Sequence, residues 1–258
     1  MVMNDNEIYK LIGSASARAE HWDYFDWELD RVVAPLLELL GEETLLVPEV
    51  YGEKKPRLRG WNQLTHASLD DYYFKVLKEA VLDGGNLGVL LGAPSGNLCT
   101  VDLDREEAVE PFLVKNPRLR STLRSTGSGV GAQFWLRIRG YYIPRVLKIS
   151  VTEHLAQKYG GVDMNPYTGT YDIGEWRGGQ KSTIWGAHSR QRDYEILVRE
   201  KPIEVTAEEI LLPAGWRLRP IRPTEFGPTA EDLTEDERIN AADRRRASKK
   251  WRGGGGSH

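Results

Sequence analysis

Two aspartates, Asp102 and Asp104, follow an apolar run and are the residues best placed for chemistry. If residues 98–103 form a strand, side chains two positions apart point to the same side, so both carboxylates emerge together. Neighbouring carboxylates repel, and each raises the pKa of the other unless a cation lies between them. Mg²⁺ suits such a pair because it prefers oxygen ligands and substrate phosphates. The alternative is a strand that ends in a solvated acidic turn, which the charged residues 105–107 allow.

A glycine-rich segment at residues 125–131 is the second candidate. Its glycines let backbone N–H groups converge on phosphate oxygens, and its hydroxyls add further donors. The residues expected to contact phosphate are Ser125, Thr126, Gly127 and Ser128. The segment is not a Walker loop, since no Gly-Lys-Ser/Thr follows. A flexible hairpin connection remains the alternative.

The third candidate is the pair Glu175 and Arg177, which share one face of an expected strand. An acid and a guanidinium in one cleft would suit a metal and a phosphate respectively. A simple ion pair between them is the alternative. Asp172 is a competing acid that alternation places on the opposite face, although Gly174 could host a bulge that changes this.

Other basic residues could contact a nucleotide or a template strand. Lys181 and His188 could reach a triphosphate or a base, although a surface loop is as good a setting for His188. A basic segment with a nearby aromatic offers charge and a stacking face for single-stranded nucleic acid, and its residues are Lys54, Lys55, Arg57, Arg59 and Trp61. The basic tail at residues 244–252 offers another such surface. Solvated charge runs are the alternative for both.

Short strands interleaved with helices predict an α+β core that positions these residues. The predicted helices span residues 5–40, 69–82, 145–159 and 230–252. The predicted strands span residues 87–92, 98–103, 132–138, 171–177, 182–185 and 194–198, the first two forming a β-hairpin. The predicted domain is 1–205, followed by a proline-rich connection and charged helical tail at 206–252. Residues 253–258 are expected to be a linker or tag remnant, which leaves open that the natural chain continues.

Composition narrows the class of protein. The chain has 258 residues and a net charge of −3, so no overall basicity points to nucleic acid. Its single cysteine, Cys99, excludes an internal disulfide and a cysteine-rich zinc module, and its apolar neighbours predict a buried structural thiol. No signal peptide opens the chain and no apolar run approaches about 20 residues, so we expect a cytoplasmic protein without a membrane segment.

The order of these segments resembles the primase-polymerase domain of the archaeo-eukaryotic primase superfamily, in the form found on plasmids, phages and integrated elements. The resemblance covers roughly residues 45–200. It rests on Lys54-Lys55-Pro56 with Gly60-Trp61, on Asn86-Leu87-Gly88-Val89 with Gly92 and Val101-Asp102-Leu103-Asp104, on Ser125-Thr126-Gly127-Ser128-Gly129 through Phe134-Trp135, and on Glu175-Trp176-Arg177-Gly178-Gly179 with Gly186-Ala187-His188-Ser189.

The resemblance implies a two-lobed fold with an RRM-like mixed or antiparallel sheet flanked by helices. It implies that Asp102, Asp104 and Glu175 are catalytic and hold two Mg²⁺ or Mn²⁺ ions. One ion would lower the pKa of a 3′-hydroxyl, and the other would steady the triphosphate and leaving pyrophosphate. The activity would be template-dependent nucleotidyl transfer, making primers or extending DNA during replication of a mobile element. The implied partners are a single-stranded DNA template, an NTP or dNTP, and a helicase domain or protein.

The sequence departs from the family pattern at two positions. Gln133 stands where the family usually carries a histidine that contacts the nucleotide phosphates, and glutamine carries no charge. The third acid is Glu175 rather than the commoner aspartate. Two other functions therefore stay open: a catalytically degenerate nucleic-acid-binding module that recruits a helicase, and a metal-dependent nuclease that uses the same acids.

Overall fold

The computed structural model describes residues 27–166, 168–188 and 192–221, which form a mixed α and β structure. The helices are α1 Trp27–Leu40, α2 Asp71–Leu82, α3 Glu106–Lys115 and α4 Glu153–Lys158. The strands are β1 Leu46–Glu49, β2 Asn86–Leu90, β3 Leu98–Leu103, β4 Arg124–Thr126, β5 Ala132–Ile138, β6 Val146–Val151, β7 Met164–Asn165, β8 Thr170–Arg177, β9 Lys181–Trp185, β10 Ala187–His188, β11 Arg192–Asp193, β12 Glu195–Val198, β13 Ile203–Val205 and β14 Trp216–Pro220.

The smaller sheet has the antiparallel order β1-β2-β9 and packs with helices α1 and α2. Helix α2 begins after Asp70, whose carboxylate accepts a hydrogen bond of 2.9 Å from the backbone N–H of Tyr73. Its buried residues fall at helical spacing, with Tyr73, Val76, Leu77 and Ala80 facing the core. The same apolar cluster includes Leu98 and Trp135, so this core also covers part of one face of the larger sheet.

The larger sheet has the order β12-β4-β5-β3-β8-β6-β14, with β13 parallel to β5. Its neighbouring strands along this order are antiparallel. The apolar side chains of β3, Val101 and Leu103, join the core around Phe112. Because side chains alternate along a strand, Thr100 and Asp102 lie on the other face. That face carries the candidate site.

The α+β class is confirmed, and so are several predicted elements. Strands β3 and β5 have the predicted bounds, and the strands predicted near residues 171, 182 and 194 are present as β8, β9 and β12. The predicted hairpin of the first two strands is present only as one antiparallel bridge, between Gly92 and Leu98. β2 and β3 lie in different sheets, because β2 pairs with β1 and β9 whereas β3 pairs with β5 and β8.

The helix predicted over residues 145–159 is also wrong. Residues 146–151 form strand β6, and only Glu153–Lys158 are helical. The segment alternates outward Lys148 with inward Leu147 and Ile149, and hydrogen-bonded neighbours on both sides hold it extended. An apolar pattern this short fits either period, so the neighbouring strands decide the outcome.

The sheet continues beyond residue 205, the predicted end of the catalytic domain. Strand β14 pairs with β6, and its Trp216 stacks against Phe112 with ring centroids 6.2 Å apart. The compact unit that carries the site therefore extends to Pro220. Among the described residues, the segment Asn165–Gly169 belongs to a second unit, in which the carbonyl of Asn165 accepts hydrogen bonds from the N–H groups of Thr168 and Gly169.

The helices predicted over the first part of residues 5–40 and over 230–252 lie outside the described residues, as do residues 253–258. Helix α1 covers the last part of the first prediction. Among the residues that the structure describes, no helix combines the length and apolarity needed to cross a bilayer.

Candidate functional site

A cleft of about 740 Å³ opens on the polar face of the larger sheet. Three acids, five basic residues and five hydroxyls are among the residues that line it. The acids are Asp102, Asp104 and Asp172, the basic residues are Lys54, Arg105, Arg177, Lys181 and His188, and the hydroxyls are those of Thr126, Ser128, Ser182, Thr183 and Tyr194. A concave, polar and highly charged surface of this kind suits a charged ligand better than an apolar one.

Asp102 lies at the centre of a row of polar side chains that crosses the sheet. In the strand register it faces Gln133 of β5 on one side and Glu175 of β8 on the other. Lys148 of β6 is the next residue in this row beyond Glu175. Burial raises the pKa of Asp102, although Arg177 and Lys54 oppose that rise. A partly buried carboxylate whose pKa is raised is stabilised in its charged form by a cation beside it.

Asp104 lies two residues after Asp102, just beyond the end of β3, and also lines the cleft. Its surface is exposed to the cleft, but the concave walls still remove much of its hydration. That desolvation, followed by repulsion from Asp102 and Glu175, raises the pKa of Asp104 to about 6. Both aspartates line the cleft, and the charge of Asp102 disfavours the charge of Asp104, so a cation bound between them would be favoured.

Because the pKa of Asp104 is raised, the stability of the folded protein should depend on pH. In metal-free buffer, Asp104→Asn should have a higher Tm than the wild type at about pH 7.5, and this difference should shrink as the pH falls toward about 4. The folded protein keeps the Asp104 proton up to a pKa of about 6, above the value of 3.8 expected without the fold. The folded state therefore loses stability as the pH rises from about 4 to above about 6. Asparagine carries no titrating proton, so it removes this loss.

Scanning calorimetry across this pH range measures the effect. Asp163→Asn is the matched control, because Asp163 is exposed and does not line the cleft. A variant at position 104 that is less stable than the wild type at the higher pH would contradict the prediction.

Glu175 lies next to the aspartates but is held by two cations. Lys148 and Arg177 both form ion pairs with it. Burial alone would raise the pKa of Glu175, but these two cations outweigh burial and lower it. Its Oε2 atom approaches Arg177 Nη2 without the alignment of a hydrogen bond. Across residues 27–166, 168–188 and 192–221, no three His, Cys, Asp or Glu side chains are grouped to hold a metal ion.

Asp172 reaches the cleft because strand β8 contains a bulge. The register with β6 shifts so that Gly174 faces Ile149 but Asp172 faces Ser150. The extra residue, Ile173, moves Asp172 to the side of Glu175, as the sequence left open. Its carboxylate accepts a hydrogen bond of 2.7 Å from Ser150 Oγ and pairs with Arg219 of β14.

The glycine-rich segment forms one wall of the cleft. Thr126, Gly127 and Ser128 line it, and Thr126 Oγ1 is buried without a hydrogen-bond partner among the described residues. Ser128 Oγ instead donates to the carbonyl of Val130 at 2.8 Å. Ser125 lies behind the wall, where its Oγ accepts a hydrogen bond of 2.9 Å from Trp135 Nε1. Of the predicted phosphate contacts, the structure brings all but Ser125 to the cleft surface.

Gly131 joins this wall to the acidic strand. Its φ is +72°, and a side chain there would collide with the carbonyl oxygen of Leu103. A residue without Cβ is therefore needed where the loop passes the end of β3. This contact fixes the distance between the loop and Asp104.

Gln133 lines the cleft beside Asp102 and is buried. Its Nε2 lies 3.4 Å from Thr100 Oγ1, and its Oε1 lies 3.5 Å from Ser125 Oγ. These contacts are long for hydrogen bonds, so they hold the amide only weakly.

Half of the predicted basic contacts, together with Trp61, lie in the cleft. Lys54, Trp61, Lys181 and His188 line the cleft, and Lys181 Nζ lies 5.9 Å from the centroid of the Trp61 ring. His188 lies edge-on to Tyr194 with ring centroids 5.6 Å apart.

Three residues of the predicted basic segment lie elsewhere. Lys55 and Arg59 are exposed but do not line the cleft. Arg57 instead pairs with Asp83 at 3.1 Å and donates to the carbonyl of Glu49 at the same distance. Its role in this structure is to hold the segment in place.

Several site residues were missed by the sequence reasoning. Lys148 was assigned to a helix, and Tyr194 carried no motif. Glu49 is fully buried and pairs with Lys181, 132 residues further along the chain. The residues around Glu49, Pro48 and Val50, give no sign that its partner is Lys181. Alternation along β6, in contrast, could have placed Lys148 on the polar face of the sheet.

The chain matches no protein-family model. A search of the curated proteins finds no significantly similar sequence.

Proposed function

We propose that the protein is a template-dependent nucleotidyltransferase that makes primers or extends DNA on a single-stranded template. The observation that carries this proposal is the polar row on the larger sheet, where Asp102 of the cleft lining faces Glu175 on the neighbouring strand and stands two residues from Asp104. The acids are flanked by Lys54 and Lys181 and by the glycine-rich loop, whose buried Thr126 hydroxyl has no hydrogen-bond partner in the described part of the chain. Phosphoryl transfer requires acids that hold a metal ion next to cations and hydrogen-bond donors that bind the phosphates.

The chain's own residues would orient the reactants. Thr126 and the backbone of Gly127 would hold phosphate oxygens, and Arg177 and Lys181 would offset their charge. Arg177 Nε is buried without a hydrogen-bond partner among the described residues, which supports a ligand contact. Asp102 and Asp104 fit a divalent ion, with Glu175 as the third acid. Bound Mg²⁺ or Mn²⁺ would activate the 3′-hydroxyl and stabilise charge on the phosphates.

We further propose that the two sheets correspond to the two lobes of a primase-polymerase fold, and that the protein acts in the cytoplasm on DNA of a mobile element. The order of the motifs along the chain supports this assignment. A helicase domain or protein would be the natural partner, since priming requires exposed single strands.

Extension on a labelled single-stranded template tests the proposal. The protein is incubated with NTPs or dNTPs and Mn²⁺ or Mg²⁺, and the products are resolved by length. We expect complementary products that require nucleotide, template and metal together. Shortening of the template without added nucleotide would instead show a nuclease, and an unchanged template with no product would contradict the proposal.

One observation favours a second function, a catalytically degenerate nucleic-acid-binding module. Glu175 is charge-compensated by Lys148 and Arg177, so the third acid already has partners. Gln133 also lacks the charge of the histidine usual in the family. Calorimetry separates the two functions. Template binding without metal-dependent nucleotide binding would favour the degenerate module, whereas metal-dependent binding of dATP favours the transferase.

Template affinity should depend on Lys54 and Trp61, which line the cleft, more than on the exposed Lys55. We expect Trp61→Ala to weaken binding of a single-stranded oligonucleotide by about tenfold, because one stacked base contributes roughly 1–3 kcal/mol. Lys54→Met should reduce the slope of affinity against salt. Fluorescence anisotropy at several salt concentrations measures both, with Lys55→Met as the matched control. Equal losses in all three variants would contradict a template path through the cleft.

A further inference from the structure

A buried ion pair between Glu49 of β1 and Lys181 of β9 stands at the edge of the cleft. The Glu49 side chain is fully buried, and that of Lys181 is 11% exposed. Burying two charges costs hydration that their attraction repays only with good geometry, so such a pair contributes little to stability by itself. A structural tie between β1 and β9 would be made as well by apolar side chains.

The neighbouring residues hold the Glu49 carboxylate in one position. Its carboxylate crosses above β2, where Gly88 has no side chain and a Cβ would lie 2.5 Å from Glu49 Oε1. Thr183 Oγ1 donates a hydrogen bond of 2.8 Å to Oε2. The second oxygen, Oε1, accepts from Lys181 Nζ. Both oxygens are therefore occupied and fixed.

The lysine is left with one donor directed elsewhere. An ammonium has three N–H groups. One donates to Glu49 and a second to the carbonyl of Lys54 at 2.8 Å. Among the described residues no third acceptor contacts Nζ, and Lys181 lines the cleft together with Thr183.

We propose that Glu49 is a positioning residue that aims the Lys181 ammonium at the phosphates of a bound nucleotide. This inference rests on the proposed function and deepens it, because it makes Lys181 the residue that favours binding of a nucleoside triphosphate over a monophosphate. Glu49 itself touches no ligand. It acts by holding Lys181 and Thr183 against the cleft wall.

The test compares affinities for dATP and dAMP by calorimetry with Mg²⁺ and without template. In the wild type we expect dATP to bind more tightly than dAMP. Glu49→Gln should weaken dATP binding by about tenfold, with a much smaller effect on dAMP. Glu43→Gln is the matched control, because Glu43 pairs with Arg137 and does not line the cleft.

A double-mutant cycle shows whether Glu49 acts through Lys181. Lys181→Met alone should lower dATP affinity, and adding Glu49→Gln should cause no further loss. The double variant also leaves no unpaired charge buried, which protects its folding. Additive losses, or Glu49→Gln binding dATP like the wild type, would overturn the positioning role. A wild type that does not bind dATP would overturn the proposed function as well.

The pH dependence of dATP affinity distinguishes positioning from a merely structural role of Glu49, because a structural role would leave this dependence unchanged. The charged groups around Lys181 are Glu49, Lys54 and Arg177. Burial lowers the pKa of Lys181, Glu49 opposes this, and the other two cations lower it further. Without the Glu49 charge, dATP affinity should therefore decline at a lower pH than in the wild type. Identical profiles for the wild type and Glu49→Gln would contradict the proposal.

Discussion

Asp102→Asn is expected to reduce the rate of nucleotide incorporation by on the order of 10³-fold while leaving the fold intact. Asparagine matches aspartate in shape but cannot neutralise a cation or help to deprotonate a 3′-hydroxyl. Asp102 is central to the polar row, with Gln133 and Glu175 on either side. Burial already raises the pKa of its carboxyl, so the neutral amide is well tolerated there.

Steady-state extension kinetics on a primed template measure this loss. The effect should fall on kcat, and oligonucleotide affinity should stay close to that of the wild type. Asp163→Asn controls for loss of a surface acid, because Asp163 lies outside the cleft lining. If Asp102→Asn kept more than about a tenth of the wild-type rate, the acid pair would not be the centre of the chemistry.

Glu175→Gln is expected to have two separable effects, one on stability and one on activity. The substitution removes the partner of both Lys148 and Arg177, whose side chains are 27% and 23% exposed. Leaving partly buried cations unpaired should cost about 2 kcal/mol of unfolding free energy. Loss of the third acid should also lower incorporation by about 10²-fold.

The double variant Glu175→Gln/Lys148→Met distinguishes these effects. Removing one of the two cations restores the charge balance, so most of the lost stability should return. Activity should remain low, because the carboxylate is still missing. Urea unfolding and extension assays on the same preparations measure the two outcomes. Recovery of activity together with stability would mean that Glu175 serves only as a partner for the cations and not as a catalytic acid.

The part of the site that the sequence predicts is the part that depends on local alternation. An apolar strand ending in Asp102-x-Asp104 needs only the period of two to place both acids on one face. The same holds for Glu175 and Arg177, which the structure brings beside Asp102. In both cases the side-chain direction follows from the strand itself.

The rest depends on contacts that local patterns do not encode. Residues 146–151 form a strand because β8 and β14 flank them, and those partners are distant in sequence. The bulge at Ile173 decides on which face Asp172 lies, and alternation alone places it on the other. The pairing of Glu49 with Lys181 joins two strands on either side of β2, so it follows only from the sheet order.

The most direct test of the central claim is anomalous diffraction from crystals grown with Mn²⁺ and a non-hydrolysable deoxynucleoside triphosphate. We expect Mn²⁺ bound by Asp102 and Asp104, with the triphosphate between the glycine-rich wall at 126–128 and Lys181. We also expect Glu175 to turn from Lys148 toward the metal. Triphosphate bound elsewhere, or a cleft without Mn²⁺ while Glu175 stays paired with Lys148, would contradict it.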